Sequence, residues 1–145
     1  MNVVESFLTT EQEISVINAI KVAEKNTSGE IRIHLENNTK KPSLAHSKEV
    51  FLYLKMDNTK DRNGVLIYVG VANKQIAILG DKGINNAVPD MFWDSVRDIV
   101  LDKFKIGDYT EGLKLGIIEA GNKLKQFFPY QKNDNNELDD SISLS

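Results

Sequence analysis

The sequence contains no cysteine, which removes disulfide staples, thiolate metal sites and cysteine nucleophiles from the list of functions it can serve. Histidine is scarce. Only His34 and His46 are present; His34 reads as pointing outward from a strand, and His46 opens a helix without a ligand-type partner one turn on, so both read as surface or internally satisfied residues. No apolar run is long: Val65–Ala72 is the longest, far below the roughly 20 residues that span a bilayer. The start, Met1–Glu5, lacks a basic stretch followed by an apolar one, so neither a signal peptide nor membrane insertion is expected and a cytoplasmic location is. Excess positive charge is also missing. Lys and Arg total 18 against 21 Asp and Glu, a net charge of −3, which argues against a nucleic-acid partner. Lys40, Lys41, Lys103, Lys105, Lys123 and Lys125 have no aromatic interleaving and read as solubilising surface charge.

What is present is the composition of one globular domain: 145 residues, 41% hydrophobic and 27% charged, enough to bury a core without staples. Thr10 and Glu13 have capping-box spacing, with Phe7 and Leu8 placed to staple the entry. An apolar stripe follows (Ile14, Val16, Ile17, Ile20, Val22, Ala23), which predicts a first helix ending at Asn26–Gly29. Glu30–Leu35 alternates, with Ile31, Ile33 and Leu35 on one face, and predicts a strand. A loop over Asn37–Pro42 leads to a second helix capped by Ser43, with Leu44, Val50, Phe51, Leu54 and Met56 inward. Val65–Val71 is continuously apolar and β-branched, as a strand buried on both faces would be. A turn at Ala72–Asn73 leads straight into Lys74–Leu79, which must therefore run antiparallel to it.

An irregular stretch, Asp81–Pro89, precedes a third helix with Phe92, Trp93, Val96, Ile99, Val100 and Phe104 inward. Gly107 ends that helix. Asp108 and Glu111 have capping-box spacing for a fourth, carrying Leu113, Ile117, Ala120, Leu124 and Phe127 to a stop at Pro129. The first two strands are joined through a helix and so are expected to be parallel. The fold class that follows is α/β, a three-layer α/β/α sandwich with a small mixed sheet of three to four strands and about four helices. Val3–Phe7 is the candidate for an extra strand. Residues 1–130 read as one domain. Residues 131–145, rich in Asn, Asp and Ser, read as a disordered acidic tail, because Leu138, Ile142 and Leu144 alone do not offset the entropy of ordering it.

The hairpin also brings chemistry together. Its turn near Asn73 places residues 61–64 beside residues 80–82, and therefore Asp61 close to Asp81. Asn63 flanks the first loop, and Asp90 and Asp94 flank the exit of the second. Carboxylates forced together raise each other's pKa unless a positive charge lies between them. Carboxylate, amide and backbone oxygens form a hard donor set suited to Ca²⁺ or Mg²⁺, with Ca²⁺ favoured by ligands drawn from irregular loops. The spacing is not that of an EF-hand. The bland alternative remains open: Asp81-Lys82-Gly83 is a good turn and Asp90 a good helix N-cap.

Several segments carry a family resemblance: Phe7-Leu8-Thr9, Ser28-Gly29-Glu30-Ile31-Arg32-Ile33, Arg62-Asn63-Gly64-Val65-Leu66-Ile67, and Ile78-Leu79-Gly80-Asp81-Lys82-Gly83-Ile84. To these are added Val88-Pro89-Asp90 with Phe92-Trp93, and Gly107-Asp108-Tyr109 with Gly112 and Gly116. In order and spacing they resemble the TPM domain family over Phe7–Pro129, here as a stand-alone member. The resemblance implies an α/β/α sandwich whose crossing loops hold a divalent metal, carried over here to Asp61, Asp81 and Asp90, with Asn63 and Asp94 as further ligands. An acid phosphatase activity attributed to chloroplast relatives implies a rival reading through the same loops, with Arg62 and Lys82 as cationic help. The leading expectation is a non-catalytic, cation-binding monomer that presents two ion-ordered loops to an unnamed protein partner. A metal-free interaction module is the third.

Overall fold

The computed structural model describes residues 3–37, 44–130, 137–138 and 140–145, with the backbone alone described at Leu44. The expectations at Lys40, Lys41, Pro42 and Ser43, for the Leu44 side chain, and for tail residues 131–136 and 139 lie outside the described residues. Glu30–Glu36 (β1) pairs in parallel with Gly64–Gly70 (β2), which pairs antiparallel with Gln75–Gly80 (β3). Both directions follow from the connections: Leu44–Tyr53 (α2) carries the chain back between β1 and β2, whereas the four-residue turn before β3 can only reverse it.

The sheet order is β3-β2-β1-β4, and β2 occupies its interior. Val65, Leu66, Ile67, Tyr68 and Val69 are all completely buried, each apolar side chain contributing about 1.5–3 kcal/mol by leaving water. Thr10–Glu24 (α1), Asp94–Lys105 (α4) and Tyr109–Phe127 (α5) cover one face, where Val16, Ile20, Val96, Val100, Leu113 and Ile117 meet the inward residues of β1 and β2. On the other face α2 contributes Val50 and Phe51 to a second cluster with Met56, Leu66 and Tyr68. The result is the expected three-layer sandwich, with a fifth, short helix at Lys82–Asn85 (α3) inside the stretch read as irregular.

Three local expectations are corrected. The capping box of α1 is formed by Thr9 and Gln12, one residue before the predicted pair; the helix buries Val16, Ile20 and Ala23 and leaves Ile14 and Val22 exposed. Asp90 caps no helix, since α4 starts at Asp94, and Asp108 makes no side-chain cap bond at α5. The extra strand comes from the opposite end of the chain. Val3–Phe7 is turn, while Ser143–Leu144 (β4) pairs in parallel with His34 and Leu35. The described part of the acidic tail is therefore ordered. The outer edge of β1 supplies its backbone partners, with Ser145 N–H donating to Leu35 O at 2.9 Å and Asn37 N–H to Ser145 O at 3.1 Å. Leu138 and Ile142 are buried. A free sheet edge offsets an ordering cost that the segment's own composition does not.

The close approach of α5 to α4 depends on Gly116, where an added Cβ would lie 2.4 Å from Cγ2 of Val100. Gly116→Ala is expected to destabilise the fold by about 1–3 kcal/mol through overpacking. Thermal melting is the check, and the midpoint should fall by several degrees.

Candidate functional site

The hairpin register sets the site. Val65 lies opposite Gly80, and the two strands continue into loops that stay hydrogen-bonded: Asp81 N–H donates to Gly64 O and Gly83 N–H to Arg62 O, both at 2.9 Å. The contact is so tight that a Cβ at Gly83 would sit 2.2 Å from the Asp61 carbonyl oxygen and 2.5 Å from that of Arg62. Only glycine fits there. Arg62 itself takes a left-handed backbone, φ 50°, which turns its side chain back across the crossing.

The expected meeting of the two loops is thus present, and it is centred on one carboxylate. Asp81 is 6% exposed and receives Arg62 Nε–H at 2.8 Å on Oδ2 and Arg62 Nη2–H at 3.1 Å on Oδ1. The Lys82 N–H adds a third bond to Oδ1 at 2.7 Å, as the N-cap of α3 requires. The hydrogen bond to Asp81 raises the Arg62 pKa above its ordinary value. A positive charge does sit at the crossing, and it is a guanidinium.

The other expected ligands divide. Asn63 is 1% exposed; its Nδ2 donates to Ser28 Oγ at 3.4 Å, and its Oδ1 has no hydrogen-bond partner among the described residues. Asp61 brings its backbone carbonyl to Gly83 while its side chain faces solvent. Asp90 is exposed in the turn before α4. Asp94 lies 3.7 Å from Arg97 and lines a separate groove along β3 with Trp93. Among the described residues no three His, Asp or Glu side chains are grouped in a metal-ligating arrangement. Beside the crossing is an open cavity of about 230 Å³, with Phe51, Leu52 and Leu79 as apolar lining and Lys48, Arg62 and Lys82 as cationic groups.

A second polar cluster escaped the sequence reading. His34 is 3% exposed, not outward-facing, because α2 and the C-terminal residues cover that face of β1. Its Nδ1 meets Ser143 Oγ at 2.8 Å and its Nε2 meets Ser145 Oγ at 2.7 Å. Glu36 is hydrogen-bonded by His46 Nε2 at 2.6 Å, by Ser145 Oγ at 2.9 Å and by the Tyr68 hydroxyl. His46 also has an acidic partner one turn on, Glu49 at 3.5 Å. Burial acts to raise the Glu36 pKa, but the donors from Tyr68, His46, Ser145 and His34 outweigh it and hold the pKa down at about 2. The available signal was the parallel register, which sets His34 beside Tyr68 and Glu36 two residues on.

A depressed carboxylate pKa contributes stability above the ordinary value of about 4.5, lost as pH falls toward 2. Tyr68→Phe removes one donor, and is expected to cost about 1–3 kcal/mol at neutral pH and to shrink the loss on acidification. Urea midpoints at neutral pH and about pH 3 check both signs.

Comparison with known proteins yields a family match and two structural neighbours. The family model described as the TPM domain matches residues 1–123. The NMR structure of BA42 protein, from the psychrophilic bacterium Bizionia argentinensis, is 49% identical, with 98% of each chain covered and a TM-score of 0.91. The N-terminal domain of a protein from P. gingivalis shares the fold at 17% identity and a TM-score of 0.70, over 88% of this chain and 84% of that one. No curated protein matches. No helix among the described residues is long and apolar enough to cross a membrane.

Proposed function

The chain belongs to the TPM domain family, and from that premise we propose that it is a non-catalytic, divalent-cation-binding domain in which Ca²⁺ or Mg²⁺ competes with Arg62 for the Asp81 carboxylate. The ion would order the loop before β2 against the loop after β3 and so present that surface to a protein partner. The observation that carries the reading is Asp81 itself: a carboxylate 6% exposed, at the point where the loops cross, whose cationic partner Arg62 is 37% exposed. Such a guanidinium can swing into water at modest cost, because a solvent-exposed cation loses little on leaving its partner. A hard dication gains from the same oxygens. The unpartnered Asn63 Oδ1 and the Asp61 side chain are the neighbouring donors. Asp90 and Asp94 join only if the segment leading into α4 moves toward the crossing.

Ion binding to the native state raises stability by about 2.7 kcal/mol at a hundredfold excess over Kd. The wild-type melting midpoint is therefore expected to be higher in millimolar CaCl₂ or MgCl₂ than in EDTA, and Asp81→Asn is expected to abolish the difference. An unchanged melt with unchanged loop amide shifts would leave the metal-free interaction module. The rival reading, a metal-dependent phosphatase at the same crossing, draws on Lys48, Arg62 and Lys82 around the cavity, which suit an anionic substrate. Aryl phosphate turnover that disappears in Asp81→Asn would replace the non-catalytic reading with that one.

A further inference from the structure

We propose that the free edge of β3, with the groove between it and α4, binds an acidic, extended segment of another protein by strand addition. The site is separate from the loop crossing and needs no cation. β3 is the outermost strand on its side of the sheet. The bond from Asp81 N–H to Gly64 O fixes which residues of β3 face β2. Counting back along the antiparallel register, Leu79, Ala77 and Gln75 exchange hydrogen bonds with β2, so the N–H and C=O of Ile76 and Ile78 point away from it. These outward groups have no backbone partner among the described residues. No charged residue and no proline lies in Gln75–Gly80. The strand therefore lacks, in its own sequence, the devices that ordinarily keep an edge from pairing.

α4 forms the other wall and runs antiparallel to β3. Trp93, Asp94 and Arg97 lie beside Ile76 and Ile78 around a groove of about 610 Å³. Leu101, Phe104 and Lys105 lie beside Lys74 and Gln75 around a second, of about 290 Å³. Arg97, Leu101 and Lys105 are spaced four residues apart and share one face of α4. The Gly80 end of the edge is closed. Asn85 Nδ2 donates to Gly80 O at 3.0 Å, and Trp93 Nε1 stands 3.4 Å from where a Cβ of Gly80 would be. What stays open is the edge from Ile76 to Ile78, with Trp93 and the exposed Met91 as apolar walls. Free backbone donors and acceptors beside an apolar wall fit an extended chain whose alternate side chains are apolar.

Charge selects the occupant. The ion pairs of the described residues include none to Lys74 or Lys105. Lys74 Nζ donates to Val71 O at 2.5 Å and lies 5.6 Å from the centre of the Tyr109 ring, neutral partners that leave its charge unopposed. Lys105 is exposed. Arg97, by contrast, lies 3.7 Å from both Asp94 and Asp98, so the uncompensated cations of the groove sit at its Gln75 end. An incoming strand gains from carboxylates there. Because β3 starts at that end, a strand lying antiparallel to it brings its C-terminal residues to the two lysines. A second copy offering its own β3 brings no carboxylate, since Gln75–Gly80 carries none, and fits the groove less well than an acidic segment.

The test is an amide NMR titration of the full chain with the acetylated, amidated peptide Thr-Val-Thr-Val-Glu-Glu, run in EDTA so that cation binding at Asp81 plays no part. Saturable shifts are expected at the amides of Ile76 and Ile78. Exchanging both Glu of the peptide for Lys is expected to weaken binding at least about tenfold. Ile78→Pro removes an outward N–H at a position where an edge strand tolerates proline, and is expected to abolish the shift at Ile76. If the amides of Ile67 and Val69 in β2 show that this variant is unfolded, the double variant Lys74→Glu, Lys105→Glu replaces it, with binding expected to weaken at least about tenfold. The absence of saturable shifts at Ile76 and Ile78 would overturn the proposal, as would a folded variant that binds like the wild type. Sedimentation of the free wild-type chain as a dimer that the folded variant fails to form would overturn it in favour of a second copy.

Discussion

Burial of β2 on both faces is the constraint from which the rest of the molecule follows. A strand with no wet side needs a layer of helices above and below it, and the chain provides α1, α4 and α5 on one face and α2 on the other. Its antiparallel return through β3 is equally forced, by a turn too short for any crossover. Because that register places Val65 opposite Gly80, the residues just outside both strands meet. The loop crossing at Gly83 is thus a by-product of core packing. Whatever chemistry belongs to it is carried on a hairpin whose first strand is buried along its whole length.

The second theme is how buried acids are compensated. At Asp81 the counter-charge is a guanidinium from the facing loop. At Glu36 it is a set of neutral or titratable donors, Tyr68, His46, His34 and Ser145, and the carboxylate stays ionised. At Glu24 and Glu30 the partners are backbone N–H groups, of Ile31 and Glu137, and burial pushes both carboxyl pKa values up. These solutions respond to different solution conditions. Under the proposed function a divalent cation would compete with the guanidinium, and acid is expected to dismantle the Glu36 network. All three lie at the margins of the sheet, where β1 and β2 give way to loops, helix ends and the C-terminal segment.

The architecture was legible in the sequence because it is written in periodicity. The alternation of Ile31, Ile33 and Leu35, the unbroken run Val65–Val71 and the helical stripes of α4 and α5 each correspond to an observed element. Helix starts were less legible, since Thr9 with Gln12 and Thr10 with Glu13 are both plausible boxes and only packing chooses between them. The fourth strand was assigned to the wrong end of the chain. Local composition marks 137–145 as unable to order itself, and the compensating partner, the edge of β1, is more than a hundred residues away. At the site, the approach of loops 61–64 and 80–83 could be derived from the hairpin alone. That Arg62 would reach Asp81 could not, because it depends on a left-handed backbone at a single position. His34 was misjudged for a related reason: the face of β1 that carries it was taken as wet, and the C-terminal residues and α2 cover it.

The central functional claim is a competition for one carboxylate, so its most direct measurement watches both partners at once. In an NMR titration of the full chain with CaCl₂ at constant ionic strength, the account predicts that the Asp81 side-chain carboxyl ¹³C resonance shifts saturably. In step with it, the Arg62 Nε–H resonance should lose its hydrogen-bonded shift and exchange faster with water. Resonances of both groups that stay in place through millimolar Ca²⁺, and again through millimolar Mg²⁺, would contradict it.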